Sequence, residues 1–236
     1  MISVLILAAG KGTRLQSEKP KVLHEVKGKP SVFHVIDLAK TVSDDIVVII
    51  GHKHEEVKNK IKKQYFVKFA LQIPQKGTAD AVMKGLPLTN DKSNAIIVLS
   101  GDAPMLKEST LKKLIKDFKE NKRLVSFIGA NLPNPEKYGR IILKNKIPEK
   151  VVEYADATDE EKKINLVNSG VYIFDKEFLK EEIYKITSNN NSNEFYLPDL
   201  IKKASSLKKA GLIVIEDYKE MLGFNTKEQL QFLNSL

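Results

Sequence analysis

The sequence predicts an α/β fold, in which a mixed, mostly parallel sheet is flanked by helices and carries a smaller β-rich segment. Three observations lead to this prediction. Short apolar runs rich in β-branched residues, typical of buried strands, recur through the first half of the chain. Stretches with helical spacing separate those runs, as parallel strands require. From residue 138 onward, strand-like segments follow one another without helices between them, which indicates antiparallel pairing.

In the first half of the chain, strands and helices alternate. Residues 2–7 and 46–50 are predicted to form buried strands. The pattern over residues 66–71 alternates well enough to predict a third strand. A helix with one apolar face follows Pro30, and a short, strongly charged helix is predicted over residues 55–63. Strands in this order form a parallel sheet with right-handed crossovers.

The second half begins with another such unit and then changes. An apolar strand at 95–100, a helix near 107–120 and a strand at 124–130 come first. A β-hairpin is then predicted, and the remaining elements are a strand at 165–174, a strand at 212–215 and a last helix at 227–233. We interpret the antiparallel part as a lid built onto the open edge of the parallel sheet.

The composition is that of an ordinary globular protein. Its 236 residues suffice for one large domain with a sizeable core, and 42% of them are hydrophobic and 29% charged. The absence of cysteine excludes disulfides and thiolate metal sites. The longest apolar runs are too short to span a bilayer, and a strand follows Met1 without a basic signal-peptide region. We therefore expect a cytoplasmic protein with no membrane partner.

The net charge of +9 and the pI near 9.4 make nucleic acid a partner to consider. Residues 1–30 contain six basic residues against two acidic ones. Aromatic residues are not interleaved with these cations, so stacking on bases has little support. A phosphorylated small molecule accounts for the local charge better, and no nucleic-acid partner is expected.

The loop after the first strand carries the strongest functional signal. Gly10 and Gly12 let the backbone turn sharply and approach a ligand without a Cβ in the way. The next residues add positive charge, and the fork of Arg14 suits phosphate oxygens. A plain glycine turn with solvated lysines is the alternative. The loop lacks the Lys-Ser/Thr pair of a P-loop and the third glycine of a dinucleotide fingerprint. We interpret it as a binding site for an anion, most simply a phosphate.

Asp102 is a candidate metal ligand. It follows the strand at 95–100, and the carboxyl ends of strands are where α/β sheets bind their ligands. A carboxylate there suits Mg²⁺, which takes one or two protein oxygens together with phosphates. An Asp capping the next helix is the alternative, but that helix begins several residues further on. In a second joint, at residues 72–82, Gly77 permits a close approach and Thr78 is expected to cap the following helix.

The run from Leu7 to Lys21, L-A-A-G-K-G-T-R followed by P-K, resembles the signature of the sugar-1-phosphate nucleotidyltransferases. The segments P-K-V-L-H and G-K-P narrow the resemblance to the N-acetylglucosamine-1-phosphate uridyltransferases. Further motifs of that family appear in order: Q-x-x-Q-x-G-T, G-D-x-P, Y-G-R-I, V-E-x-x-D-A-T, N-x-G and E-F-Y-x-x-D. The resemblance covers essentially the whole chain and implies a Rossmann-like fold with a small β-rich sugar-binding subdomain. We expect a nucleotide-binding core at 1–132, the sugar-binding subdomain and return to the core at 133–225, and a C-terminal helix at 226–236.

The resemblance also implies roles for individual residues. Arg14 should hold the β- and γ-phosphates, and Lys21 should neutralise the α-phosphate. Mg²⁺ should be held by Asp102 and Asn225, and the sugar by Gly139, Glu153 and Asn168. The nucleotide should be bound by Leu7, Ala8, Ala9, Gly10, Gly12, Thr13, Gln72, Gly77, Thr78, Ser100 and Gly101. Without ligand, we expect both Arg14 and Lys21 to face solvent.

The implied reaction is uridylyl transfer from UTP to N-acetylglucosamine-1-phosphate, which gives UDP-N-acetylglucosamine and pyrophosphate. The sequence departs from the family pattern at Lys76, Asp80 and Ser100. The substrate could therefore be another sugar phosphate or another nucleotide. A non-catalytic sugar-nucleotide-binding protein and a basic nucleic-acid-binding protein are the rival interpretations. The hexapeptide repeats of the C-terminal left-handed β-helix that many members carry are absent. We therefore expect no acetyl transfer, and a monomer or weak oligomer.

Overall fold

The computed structural model describes residues 1–135 and 137–236. Its strands, in chain order, are Ile2–Ala8 (β1), Glu25–Val26 (β2), Lys29–Pro30 (β3), Ile46–Ile50 (β4), Lys68–Leu71 (β5), Ala95–Ser100 (β6), Val125–Asn131 (β7), Arg140–Lys144 (β8), Ile147–Val152 (β9), Leu166–Asp175 (β10) and Ala210–Ile215 (β11). Its α-helices are Ser31–Lys40 (α1), His54–Lys62 (α2), Thr78–Gly85 (α3), Glu108–Glu120 (α4), Asp159–Lys162 (α5), Lys176–Glu182 (α6), Asp199–Ser206 (α7) and Lys227–Ser235 (α8).

The main sheet has the strand order β11-β7-β10-β6-β1-β4-β5. Strand β1 pairs in parallel with β4 and β6, β4 pairs in parallel with β5, and β11 runs parallel to β7. The predicted α/β class and the parallel strand–helix alternation of the first half are therefore confirmed. The continuous apolar run of β4 is buried throughout, as expected for a parallel strand covered by helices on both faces.

Strand β10 corrects the interpretation of the antiparallel part as a lid on the open edge. It lies in the middle of the sheet, antiparallel to both β6 and β7. Its residues from Val171 to Phe174 are buried, so this strand belongs to the core and not to a peripheral layer. The hairpin of β8 and β9 joins it where Val167 pairs with Arg140. The predicted domain limits at 132 and 225 stay a prediction.

Helices cover both faces of the sheet, and strand β1 illustrates how the two layers form. Val4 and Ile6 are buried in one cluster with apolar side chains of α1, α2 and α4. Leu5, between them, is buried in a second cluster with side chains of α3, α6 and α7. Successive side chains of a strand point to opposite faces, so this one strand contributes to both layers of core. Burying each such side chain stabilises the fold by about 1.5–3 kcal/mol.

A buried polar network closes the end of the sheet at which β1 and β4 begin. Asp45 accepts hydrogen bonds from the Ser3 hydroxyl, from Lys68 Nζ at 2.8 Å and from the Asn90 backbone N–H at 2.7 Å. Ser3 Oγ also lies within hydrogen-bond distance of Ser93 Oγ, at 2.7 Å. Burial opposes ionisation of Asp45, but the donors from Lys68, Ser3 and Asn90 outweigh it and hold the pKa below its usual value. This network ties β1, β4 and β5 together at the end opposite the glycine loop.

No helix within the described ranges combines the length and the apolar character needed to cross a membrane.

Candidate active site

The predicted loops meet at the carboxyl ends of β1, β5 and β6. The glycine loop follows β1, Gln72 follows β5 directly, and Asp102 lies two residues after β6. A backbone hydrogen bond of 2.9 Å from the Gly101 N–H to the Leu7 carbonyl joins the loop after β6 to the end of β1. This edge of a parallel sheet is where ligands bind in open α/β folds.

Two cavities open at this edge, and they share Ser100 and Asp102. The first cavity, of about 270 Å³, is lined by Leu7, Ala8, Ala9, Gly10, Lys21, Val22, Gln72, Gln75, Gly77, Thr78, Ala81, Ser100, Asp102 and Glu194. The second cavity, of about 200 Å³, is lined by Arg14, Ser100, Asp102, Ala103, Lys137, Tyr138, Ser169, Met221, Gly223, Asn225 and Gln229. Most of the predicted nucleotide-binding residues thus surround the first cavity, whereas Arg14 and Asn225 belong to the second.

Lys21 connects the two candidate metal ligands. Its ammonium group donates to Asp102 Oδ2 in an ion pair and to Asn225 Oδ1 at 2.8 Å. The Lys21 side chain is only 11% exposed, so the prediction that it faces solvent is wrong. Pro20 and the short 3-10 turn Lys21–Leu23 direct it inward, and a partly buried ammonium needs oxygen partners. Arg14, in contrast, is exposed as predicted.

The electrostatics of Asp102 follow from these contacts. Burial disfavours the charged carboxylate, but the Lys21 ammonium and a 2.6 Å hydrogen bond from Ser100 Oγ reverse the effect and lower the pKa of Asp102. The Ser100 hydroxyl therefore supports the carboxylate that both cavities share.

The two loop glycines play different structural roles. Gly12 has φ of 62°, and a Cβ added there would lie 2.8 Å from Lys21 Cβ, so the inward path of Lys21 requires glycine at this position. Gly10 lines the first cavity, and an added Cβ would meet nothing within 4 Å. Thr13 is exposed and begins a 3-10 turn. Gly12 and Thr13 thus shape the loop outside the lining of the first cavity.

Gln72 and Gly77 form one side of the first cavity. Gln72 is 3% exposed, and its Nε2 donates to the Gly77 carbonyl at 2.9 Å and to Asp80 Oδ2 at 2.7 Å. Gly77 has φ of 113°, and an added Cβ would lie 2.5 Å from the Phe195 carbonyl oxygen. The backbone at Phe195 pairs with residues 76 and 79 through hydrogen bonds of 2.8 and 2.9 Å. Glycine is therefore required where the two segments cross.

Thr78 does not cap helix α3, contrary to the prediction. It is the first residue of the helix, and the preceding Gly77 makes no side-chain cap. The Thr78 hydroxyl instead accepts the Leu197 N–H at 3.0 Å. This bond extends the pairing with the E-F-Y segment beyond Phe195, which explains why the hydroxyl is not used within its own helix.

The residues predicted to bind the sugar come together although the sequence separates them. The Asn168 N–H donates to the Gly139 carbonyl at 2.9 Å, and a Cβ on Gly139 would lie 3.2 Å from both Glu153 carboxylate oxygens. Their chain neighbours Tyr138 and Ser169 line the second cavity. Burial, reinforced by Asp199, Glu194 and Asp156, raises the pKa of Glu153 to about 7.

Two residues of this region were not found by sequence reasoning. Tyr172 lies in the apolar run of β10 and resembles a core residue, yet its hydroxyl accepts a 2.6 Å hydrogen bond from Asn168 Nδ2. Arg140 is buried, donates to the Tyr138 carbonyl and to the Lys162 carbonyl at 3.1 Å, and lies 5.6 Å from the Tyr154 ring centre. The arginine within the Y-G-R-I motif was the available signal. Arg140 orders the turn that presents Gly139.

Comparison with known proteins identifies the family of the chain. The family model described as "Nucleotidyl transferase" matches residues 3–218. The chain belongs to the nucleotidyl transferase family. The match spans the glycine loop, Asp102 and the β8–β9 hairpin.

Individual relatives of this nucleotidyl transferase are known from several bacteria. The chain is 42% identical over 228 residues to the bifunctional protein GlmU of Clostridium beijerinckii, a match that covers 96% of the chain and 50% of the relative. It is 41% identical over 236 residues to the GlmU of Fervidobacterium nodosum, covering 100% of the chain and 50% of the relative. The chain therefore spans about half the length of the curated relatives it matches. A crystal structure from Bacillus anthracis, described as a glucose-1-phosphate thymidylyltransferase, superposes with a TM-score of 0.81. That comparison, at 18% identity, covers 100% of this chain and 94% of the other and supports the fold.

Asp102 and Asn225 offer this nucleotidyl transferase two oxygen donors of the kind that could hold a divalent cation. Within residues 1–135 and 137–236, no cluster of three or more acidic or histidine side chains could hold a metal ion. The Asp102 carboxylate and the Asn225 carbonyl oxygen nevertheless converge on the positive charge of Lys21. Two hard oxygen donors suit Mg²⁺ when substrate phosphates and water complete its coordination.

Proposed function

We propose that the chain catalyses uridylyl transfer from UTP to N-acetylglucosamine-1-phosphate, with release of pyrophosphate. The observation that carries this proposal is the position of Asp102, paired with Lys21 of the first cavity, where the first and second cavities meet. The reaction requires the phosphates of two substrates to meet, and a place where two cavities join allows this. Lys21 of the first cavity and Arg14 of the second supply positive charge on either side. The GlmU relatives and the motifs of the uridyltransferases support the same reaction.

In this reaction a phosphate oxygen of the sugar phosphate attacks the α-phosphorus of UTP. A new phosphorus–oxygen bond forms, and the bond from the α-phosphorus to the oxygen bridging the α- and β-phosphates breaks. The bridging oxygen leaves with its electron pair as part of pyrophosphate. The attacking phosphate is already ionised, so the protein has no need of a covalent nucleophile or a strong base. Alignment and charge neutralisation supply the catalysis.

Cationic side chains provide that neutralisation. We assign Lys21, in the first cavity, to the α-phosphate, where negative charge is concentrated as the new bond forms. Arg14, exposed at the second cavity, is assigned to the β- and γ-phosphates, which its planar fork can bind in a bidentate manner. Arrival of the nucleotide would give Lys21 a phosphate to bind in exchange for Asp102 and Asn225.

Mg²⁺ is the proposed cofactor, and Asp102 and Asn225 are the residues that would hold it. When bound, the ion would neutralise phosphate charge that the side chains alone leave unbalanced. The Lys21 ammonium competes for the same oxygens, so these residues become available to a metal only when Lys21 leaves them. Nucleotide and metal are therefore expected to bind cooperatively.

The cluster of Gly139, Glu153 and Asn168 is proposed to hold the sugar. The Glu153 carboxyl and the Asn168 amide offer both hydrogen-bond acceptors and donors, as a sugar with hydroxyl and amide groups requires. Gly139 leaves space, since a side chain there would touch the Glu153 carboxylate.

A pyrophosphate-release assay with the whole chain tests the proposal. We expect release with UTP and N-acetylglucosamine-1-phosphate in the presence of Mg²⁺, and at least about 10-fold lower kcat/KM when glucose-1-phosphate or CTP replaces either substrate. Heparin and DNA, added as controls for a nucleic-acid site, should not compete with UTP. Equal rates for all sugar phosphates, or no release with any pair, would contradict the proposal.

A further inference from the structure

The side-chain amide of Gln72 has both of its N–H donors in use. The amide nitrogen carries two hydrogens, and its two partners are the Gly77 carbonyl at 2.9 Å and Asp80 Oδ2 at 2.7 Å. Gln72 is almost fully buried, follows the edge strand β5 and lines the first cavity.

The chemistry of the partners determines which way this amide points. A backbone carbonyl and a carboxylate both accept hydrogen bonds and donate none. Rotating the amide of Gln72 by half a turn would set its oxygen against two acceptors and take one donor away from each of them, which is costly. The nitrogen is therefore held towards Gly77 and Asp80, and the oxygen Oε1 is the atom of the amide that remains for a ligand in the cavity.

Asp80 is the side chain on which this orientation depends. It lies in the first turn of α3 and is 8% exposed. Each acceptor also has a weaker second donor: the Gly77 carbonyl accepts the Ala81 N–H at 3.2 Å, and Asp80 Oδ2 accepts the Lys76 N–H at 3.4 Å. The shorter, charge-assisted bond to Asp80 is the stronger of the two restraints on Gln72.

We propose that Asp80 is a positioning residue for base selection. It holds the oxygen of Gln72 available to the nucleotide, and the site then selects a base with an imide N–H donor, such as N3–H of uracil or thymine. Cytosine presents an unprotonated N3, and two acceptors facing each other repel. This inference rests on the proposed function, since it assumes that the first cavity takes the base of a nucleoside triphosphate.

The test measures equilibrium binding of UTP, CTP and N3-methyl-UTP to the whole chain with Mg²⁺ and no sugar phosphate. Wild-type protein should bind UTP more tightly than either analogue. Asp80→Asn keeps the shape of the side chain but can donate to a rotated Gln72 amide. We expect it to lower the preference for UTP over CTP by at least about 10-fold, because the penalty for the wrong base depends on an acceptor that cannot turn away.

Three controls make the result specific. Gln72→Ala should abolish the preference for UTP over CTP. Lys84→Ala, an exposed change on the same helix, should bind like wild type. Thermal unfolding of each variant checks that α3 stays folded.

Two results would overturn the inference. In the first, Asp80→Asn is folded and keeps the wild-type preference for UTP over CTP, whereas Gln72→Ala loses that preference. In the second, the wild-type protein binds N3-methyl-UTP as tightly as UTP. Binding is measured without the second substrate. A wild-type chain that selects UTP but releases no pyrophosphate would therefore contradict the proposed function and leave the role of Asp80 supported.

Discussion

The ammonium group of Lys21 donates a hydrogen bond of 2.8 Å to Asn225 Oδ1, although 204 residues separate the two in sequence. The same group pairs with Asp102, so one cation joins three distant parts of the chain before any ligand arrives.

Replacing Lys21 with Met should make the ligand-free protein less stable and a better metal binder. The buried Asp102 carboxylate loses its counter-charge, and the cost should be about 1–3 kcal/mol because both side chains keep some contact with solvent. The same oxygens then become available to Mg²⁺ without nucleotide. Urea unfolding with and without Mg²⁺ measures both effects. If Mg²⁺ stabilises Lys21→Met and wild type equally, Lys21 and Mg²⁺ do not compete for the oxygens of Asp102 and Asn225.

Asp102→Asn and Asn225→Ala should differ in their dependence on Mg²⁺. Asp102→Asn removes the charged ligand and should lose most activity at ordinary Mg²⁺, with partial recovery at high Mg²⁺. Asn225→Ala should be milder, because water can replace a neutral ligand. Rates measured across a Mg²⁺ series for both variants provide the comparison. A wild-type Mg²⁺ profile for Asp102→Asn would place the metal elsewhere.

Arg14→Ala should separate catalysis from folding. The side chain is exposed, so the free energy of unfolding should stay within about 0.5 kcal/mol of wild type. Turnover should fall by a factor on the order of 10²–10³, because a charge-assisted contact with phosphate is lost in the transition state. Lys11→Ala, also exposed in the same loop, is the matched control. If both variants lose the same small fraction of activity, the effect comes from general positive charge.

Glu153→Gln should raise stability above neutral pH while weakening sugar binding. The folded-state pKa of about 7 exceeds the ordinary value of 4.5, so the contribution of Glu153 to stability is fully present below about pH 4.5 and is lost as pH rises through 7. Glutamine stays neutral at every pH, so the variant avoids this loss. We expect the loss in the free energy of unfolding to reach about 1–3 kcal/mol at pH 8. The KM for the sugar phosphate should rise about 10-fold. Urea unfolding at pH 5 and pH 8, together with steady-state kinetics, tests both parts; a variant less stable than wild type at pH 8 contradicts the first.

Asp45→Ala should show the opposite pH behaviour and leave the chemistry intact. The pKa of Asp45 is held below its usual value of 3.8, so its contribution to stability is present above that pH and is lost as pH falls through the folded-state pKa. At pH 7 the variant removes the carboxylate that accepts from Ser3, Lys68 and the Asn90 N–H, although Ser3 keeps Ser93 and Lys68 keeps the Leu88 carbonyl as partners. It should lose about 2–4 kcal/mol. Because the network lies at the far end of the sheet, kcat and KM measured below the unfolding transition should match wild type. A changed KM for UTP would refute that separation.

Local sequence patterns were sufficient for much of the fold. The composition of the apolar runs in β1, β4 and β6 predicted buried parallel strands. The cations after Gly10 indicated a phosphate-binding loop. The central position of β10 could not be obtained in this way, because the order of strands in a sheet depends on pairing between distant segments. The hydrophobic run from Val171 to Phe174 in β10 was compatible with a strand buried on both faces. A strand at the edge of the sheet would not need such a run.

The candidate site was predictable to the extent that each residue stands at the end of a strand. Asp102 was found because it follows β6, whereas Glu153, Asn168 and Asn225 were chosen only because they match a family. The partner of Lys21 could not be foreseen, since an inward path past Gly12 is a property of the folded loop. The use of Asp80 as the acceptor for Gln72 is likewise visible only once the turn at Gly77 has brought the two together.

The three-way contact of Lys21, Asp102 and Asn225 has a consequence for protein synthesis. The glycine loop and the strand before Asp102 are synthesised early, whereas the third partner exists only once translation has passed residue 225. The complete three-way contact can therefore form only after nearly all of the described chain has been synthesised.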